Sequence, residues 1–154
     1  MSDYDRARLL TPLACWITYI CAIALSLDAP WWATASAWMI GNADYTKLYR
    51  KGLFRATGTV IGCVIGYVTA IVCGTAMLPM LVVLWVVGAI TLYKRYTSAY
   101  GYAWLLAGAT VAIVLFEAMM GNDDLRRLTL ARGIELSLGV IVSALLNAAF
   151  RPKI

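Results

Sequence analysis

Between Leu9 and Phe150 the chain is a succession of long apolar runs, broken only by short polar loops. One soluble core cannot absorb them all. A chain of this kind treats lipid as its solvent and must satisfy its backbone within helices. Composition agrees: 62% of the residues are apolar and 14% are charged, whereas an ordinary soluble domain is about a quarter charged. The first run, Leu9 to Leu27, is too long for a secretory signal core, and no small-residue cleavage site follows it. The expected fold class is therefore all-α, a polytopic membrane protein.

The runs divide into six expected crossings. Thr11-Pro12 reads as a cap with proline in the first turn of a span ending near Leu27, and Asp28-Ala-Pro30 turns the chain. Trp31-Trp32 then opens a short second span, whose apolar run ends near Ile40 before Gly41-Asn42. A dozen residues rise only about 18 Å as a helix, against a hydrocarbon core of about 30 Å. This span either continues towards Tyr45 or stops early and re-enters. Asp44 to Phe54 alternates Tyr45, Leu48, Tyr49 and Leu53 with Lys47, Arg50 and Lys51. It is an interfacial amphipathic segment or the start of the next helix. Spans at Thr57–Thr75, Pro79–Tyr93, Tyr100–Met120 and Leu130–Phe150 complete the bundle. Lys94 to Ser98 and Asp123 to Arg127 are expected as loops. We find no linker and no repeat, so residues 1–154 are expected to form one transmembrane domain with no cytoplasmic domain.

Charge orients the bundle. With the N-terminus inside, ten basic residues fall on cytoplasmic segments: Arg6, Arg8, Lys47, Arg50, Lys51, Arg55, Lys94, Arg95, Arg151 and Lys153. Only Arg126, Arg127 and Arg132 fall outside. That asymmetry predicts cytoplasmic N- and C-termini. The net charge of +5 thus reflects orientation towards membrane lipids, and no nucleic-acid partner is expected. Cys15, Cys21, Cys63 and Cys73 lie in apolar runs without metal-ligand spacing, and there is no histidine. No metal or cofactor is expected.

Gly58, Gly62 and Gly66 recur every four residues and share one helix face. Glycine faces let membrane helices approach backbone to backbone, because lipid supplies no hydrophobic drive for association. The seam is a packing contact or the wall of a route through the membrane. Arg55 stands one turn before it, either as a boundary charge or facing a polar path.

Ionisable groups at membrane depth are functional candidates. Glu117 lies near the end of the fifth span, as a proton carrier or as a partner of Arg126 or Arg127. The sixth span carries Arg132, Glu135, Gly139, Ser143 and Asn147 at spacings of three or four. This polar stripe must face protein or water, as interhelical glue or as a substrate path. Arg132 and Glu135 can pair with each other, and Asn147 needs another partner. Trp31, Thr34 and Trp38 share a face of the second span. Aromatic rings beside a hydroxyl suit an aromatic ligand, while an interfacial belt also accounts for Trp31 and Trp32. There is no nucleophile–base pair, phosphate loop or metal cluster, so the chain is not expected to be an enzyme.

Four stretches carry a resemblance: Ala29-Pro-Trp-Trp-Ala-Thr-Ala35, Arg55-Ala-Thr-Gly-Thr-Val-Ile-Gly62, Tyr102-Ala-Trp-Leu-Leu-Ala-Gly108, and Ala131-Arg-Gly-Ile-Glu135 leading through Gly139 to Arg151-Pro152. Over nearly the whole chain, their order resembles the membrane half of the fusaric acid resistance and aromatic acid exporter family. The resemblance implies a six-helix bacterial inner-membrane domain that exports aromatic carboxylates or related toxic organic anions, driven by protons and aided by a periplasmic adaptor protein. Arg55 and Arg132 would attract the carboxylate, and Glu117 or Glu135 would couple to protons. Typical members have two membrane halves and cytoplasmic regions, whereas this chain stops after one half. A homo-oligomer, a dimer above all, is the expected compensation. At the level of architecture the chain also resembles plant aluminium-activated malate channels. A passive organic-anion channel and a non-transporting assembly protein are the alternatives.

Overall fold

The computed structural model describes residues 3–41, 45–74, 76–121 and 124–150. Six helices make up the described residues: α1 (Asp3–Ala24), α2 (Pro30–Ile40), α3 (Tyr45–Cys73), α4 (Met77–Thr97), α5 (Gly101–Met119) and α6 (Leu125–Ala149). The all-α architecture expected from the apolar runs is the one adopted. Six crossings were expected, whereas among the described residues four helices are long and apolar enough to cross a bilayer: Lys47–Cys73 within α3, and α4, α5 and α6 over their full lengths. The apolar part of α1, Arg8–Ala24, rises only about 25 Å, and α2 about 17 Å, both short of a core about 30 Å thick.

Helix boundaries also differ from expectation, mostly because charged residues extend helices beyond their apolar parts. α1 begins at Asp3, so Pro12 lies inside it and Thr11 is not its cap. The proline deprives the Arg8 carbonyl of one intrahelical donor, a local cost that the helix absorbs. α2 stops at Ile40 rather than continuing through Gly41. The amphipathic stretch after it is the first part of α3, one unbroken helix of 29 residues. Lys94 and Arg95 are the last turn of α4, where cations favour the negative end of the helix dipole. Asp124 Oδ1 accepts from the Arg127 amide at 3.2 Å and caps α6, which draws Arg126 and Arg127 into its first turn. The expectations for Asn42, Asp44, Thr75, Asp123, Arg151 and Lys153 fall outside the described residues.

The α1–α2 turn has a specific closure. Leu27 N–H donates to Ala22 O at 3.0 Å and Ser26 N–H to Ile23 O at 2.9 Å, with Ser26 at φ 53°. This is the Schellman pattern, with serine where glycine is usual. Pro30 then starts α2 at its first turn, where a missing amide hydrogen costs nothing.

Two compact units organise the contacts: Met1–Leu53 with Ile134–Ile154, and Phe54–Gly133. In the first, α1 and α2 are antiparallel. Thr11 abuts Gly41, and Cys15 Sγ donates to Thr34 O at 3.6 Å. α2 and α6 are parallel, since Glu135 meets Ala29 and Gly139 meets Ala33 and Ala37. Ala14, Cys15 and Ala37 form a buried cluster with Leu146 beside it. In the second unit, α3 and α5 are parallel, with Gly58 against Ala103, Gly62 against Ala107 and Gly66 against Val114. α4 runs antiparallel to α5, with Thr91 against Gly108 and Met80 clustered with Val111 and Leu115. Each of these relations is the one that strict up-and-down alternation in chain order gives.

Candidate functional site

In the first unit the focus is Glu135. Its side chain is fully buried, at 0% exposure, and its Oε1 accepts from the Ala29 amide at 2.8 Å. Ala29 is the residue before α2, so the carboxylate sits at the positive end of that helix. The approach depends on Gly139 one turn on. A Cβ there would meet the Ala33 carbonyl oxygen, Ser36 Cβ at 2.7 Å and Ala37 N at 2.9 Å. Ser36 Oγ adds a bond to Leu136 O at 2.9 Å. The backbones of α2 and α6 therefore touch, and this contact carries the buried acid.

The rest of the stripe on α6 is also turned away from solvent. Ser143 and Asn147 are buried. Asn147 Nδ2 donates to Ser143 O at 2.9 Å, so part of its demand is met by its own helix. Thr34 and Trp38, on α2, do not join Glu135. Thr34 Oγ1 donates to Pro30 O at 3.2 Å. Trp38 is 62% exposed, and Trp31 is exposed as well, whereas the buried face of α2 is Ala33, Ser36, Ala37 and Ile40.

In the second unit, Glu117 is paired with Arg132. Glu117 Oε1 lies 3.9 Å from Arg132 Nη2, with side chains 28% and 10% exposed respectively. Alternatives with Arg126 or Arg127 were open from the sequence. In the fold, side chains of antiparallel α5 and α6 lean towards their own N-termini and converge on this pair. Thr129 lies one turn earlier on α6. Its carbonyl accepts from Cys63 Sγ at 3.7 Å, which ties α6 to α3.

The glycine face of α3 lies on α5. A Cβ on Gly58 would collide with the Ala103 carbonyl oxygen. One on Gly62 would stand 2.6 Å from both Ala107 O and Thr110 Cβ, and one on Gly66 2.9 Å from Val114 Cβ. Two alanines and a threonine on α5 thus complete a seam of which the glycines are one side. Arg55, one turn below Gly58, is 3% exposed. Its side chain is thus buried within the protein.

Two buried hydroxyls in this unit escaped the reading of the sequence, Thr59 and Tyr102. The first was legible in principle, because it follows Arg55 by four residues and shares its face. The second carried no periodic signal among the aromatic residues around it.

The model of the fusaric acid resistance protein family matches residues 9–154. Among curated proteins, the p-hydroxybenzoic acid efflux pump subunit AaeB of Escherichia fergusonii is 26% identical over 148 residues, covering 89% of this chain and 23% of the relative. The protein of the same name from Escherichia coli O1:K1 / APEC is 26% identical over 138 residues, covering 82% of this chain and 21% of the relative. The chain thus spans under a quarter of the length of these curated relatives. No solved structure matches.

Proposed function

This chain belongs to the fusaric acid resistance protein family, and from that premise we propose that it is a membrane module for export of aromatic carboxylates, driven by protons. The relatives are named as subunits of p-hydroxybenzoic acid efflux pumps, which supports this substrate class. The observation that carries the reading is Glu135, a fully buried carboxylate in a helix of spanning length. Such a group is costly unless it serves transport or is tied to a partner.

Its partner supports a coupling role. Ionised, Glu135 accepts from Ala29 N–H at the positive end of α2. Protonated, it is a weaker acceptor and no longer answers the helix dipole. Proton binding would thereby loosen α2, an 11-residue helix, from α6. Arg55 and Arg132 are the cations that would meet an organic anion in the bundle, Arg132 by exchanging its Glu117 partner for the substrate carboxylate. The module sits in the bacterial inner membrane with both termini cytoplasmic, and works as a homo-oligomer or beside another pump subunit or a periplasmic adaptor. The basic residues on the cytoplasmic side support that orientation.

The test is transport of p-hydroxybenzoate by the purified chain in proteoliposomes. An imposed pH gradient should drive p-hydroxybenzoate against its own gradient, and Glu135→Gln should abolish that drive. Flux that only runs downhill and ignores pH identifies a channel. No flux with either gradient refutes transport by the chain alone, and mass measurement in nanodiscs then reports whether it self-associates.

A further inference from the structure

Thr59 Oγ1 on α3 and Tyr102 Oη on α5 are buried without a hydrogen-bond partner. Thr59 is 2% exposed. Threonines in membrane helices ordinarily donate one turn back, as Thr110 does to Leu106 O at 2.8 Å and Thr129 to Leu125 O at 2.7 Å. Thr59 does not. Two buried hydroxyls left unpaired are destabilising unless something else accepts from them.

They belong to one place. Gly58 meets Ala103 and Gly62 meets Ala107, so α3 and α5 run side by side with a constant offset. That offset sets Arg55 level with Tyr100. The edge-to-face contact of Phe54 on Tyr100, with ring centroids 5.5 Å apart, agrees with it. Arg55, Tyr102 and Thr59 therefore fall within about 6 Å along the helix axes, at 1.5 Å per residue. They also share a side. Thr59 is one residue after Gly58, and Tyr102 one residue before Ala103. Each step turns about 100°. For two parallel helices facing each other, a forward step on one and a backward step on the other lead to the same flank of the contact. Arg55, four residues before Thr59, lies over the same flank of α3.

We propose that Arg55, Thr59 and Tyr102 bind the carboxylate of an aromatic acid, an assignment that rests on the export reading above. The guanidinium supplies charge and planar donors matched to a carboxylate. The two hydroxyls supply the remaining donors, and their idle hydrogens gain acceptors when the anion binds. The Tyr102 ring, which carries one of the hydroxyls, brings aromatic surface to the same flank, which favours an aromatic acid over a small inorganic anion.

The experiment uses the full chain in nanodiscs, with p-hydroxybenzoate as probe and benzamide as its neutral counterpart. Thr59→Val and Tyr102→Phe should each weaken p-hydroxybenzoate binding about tenfold. Neither should lower the melting temperature, since each removes a hydroxyl that has no partner. Thr57→Val, on the exposed side of α3, should bind as the parent does. Benzamide should bind weakly and respond to none of them. Unchanged p-hydroxybenzoate affinity in both variants, with the parent binding normally, overturns this site and leaves the export reading standing. Weaker binding together with a lowered melting temperature assigns the hydroxyls to packing and overturns the site as well. A parent chain that binds no p-hydroxybenzoate overturns both.

Discussion

Adding one methyl group at Gly62 should expose how closely α3 and α5 are pressed together. Its Cβ would stand 2.6 Å from Ala107 O and from Thr110 Cβ, and 3.2 Å from Ala107 Cα. Non-bonded carbon atoms rest at about 3.5–4.0 Å, and a gap of 0.5–1 Å already forfeits roughly a quarter to a half of a dispersion contact. Neither obstacle is the free end of a flexible chain: one is backbone and the other a β-carbon fixed to α5. The helices must part by roughly 1 Å to relieve the clash, and the contacts at Gly58 and Gly66 weaken with them. Overpacking of this kind costs about 1–3 kcal/mol. Alanine also gains about 1 kcal/mol over glycine in helix propensity, which would mask part of the loss. Gly88 on α4 removes that ambiguity, because nothing lies within 4 Å of a Cβ there. Gly88→Ala takes the propensity gain without the clash, so Gly62→Ala should be less stable than it by about 1–3 kcal/mol. Thermal unfolding of both variants in one detergent, followed by tryptophan fluorescence, measures the difference. If the two melt together, α3 and α5 are not in backbone contact at Gly62, and the seam is not what holds them.

Other outcomes follow from single residues. Ser26→Gly relieves a left-handed backbone at the end of α1 and should stabilise the chain by about 0.5–1 kcal/mol, read from the same melts. Glu135→Gln keeps an acceptor for the Ala29 amide, whereas Glu135→Ala leaves that buried N–H without it. Alanine should therefore cost about 1–3 kcal/mol more than glutamine in thermal unfolding. Single cysteines at Lys47, Lys94 and Gly121, in a version with Cys15, Cys21, Cys63 and Cys73 changed to serine, report orientation. An impermeant thiol reagent applied to intact cells should reach only the one at Gly121, and labelling at the other two refutes cytoplasmic termini.

Much of the fold was legible in one dimension because lipid imposes a simple rule. Every backbone polar group needs a partner inside its own helix, so long apolar runs can only be helices. That reasoning located α3 to α6 and the turn at Pro30, and left open whether α2 ends at Ile40. It was weakest at the ends. Lys94, Arg95, Arg126 and Arg127 read as loop because they are charged, yet headgroups and water accommodate helix ends as readily as loops. It counted six spans where, among the described residues, four helices are long and apolar enough to cross, because an apolar run need not be that long.

The sequence by itself determined that the chain is a helical membrane protein, that α3 carries a face without side chains, and that α6 carries a polar stripe. These are periodicities, and a periodicity is a property of one helix. Only the tertiary structure decided which helix each face meets. It set the glycines on Ala103 and Ala107 of α5, Glu117 on Arg132, and Glu135 on an amide 106 residues away at the start of α2. The physical reason is that spacing along a helix fixes a direction around its axis but not the neighbour lying in that direction. Among several apolar helices in lipid, that choice falls to close packing and to the pairing of a few buried polar groups.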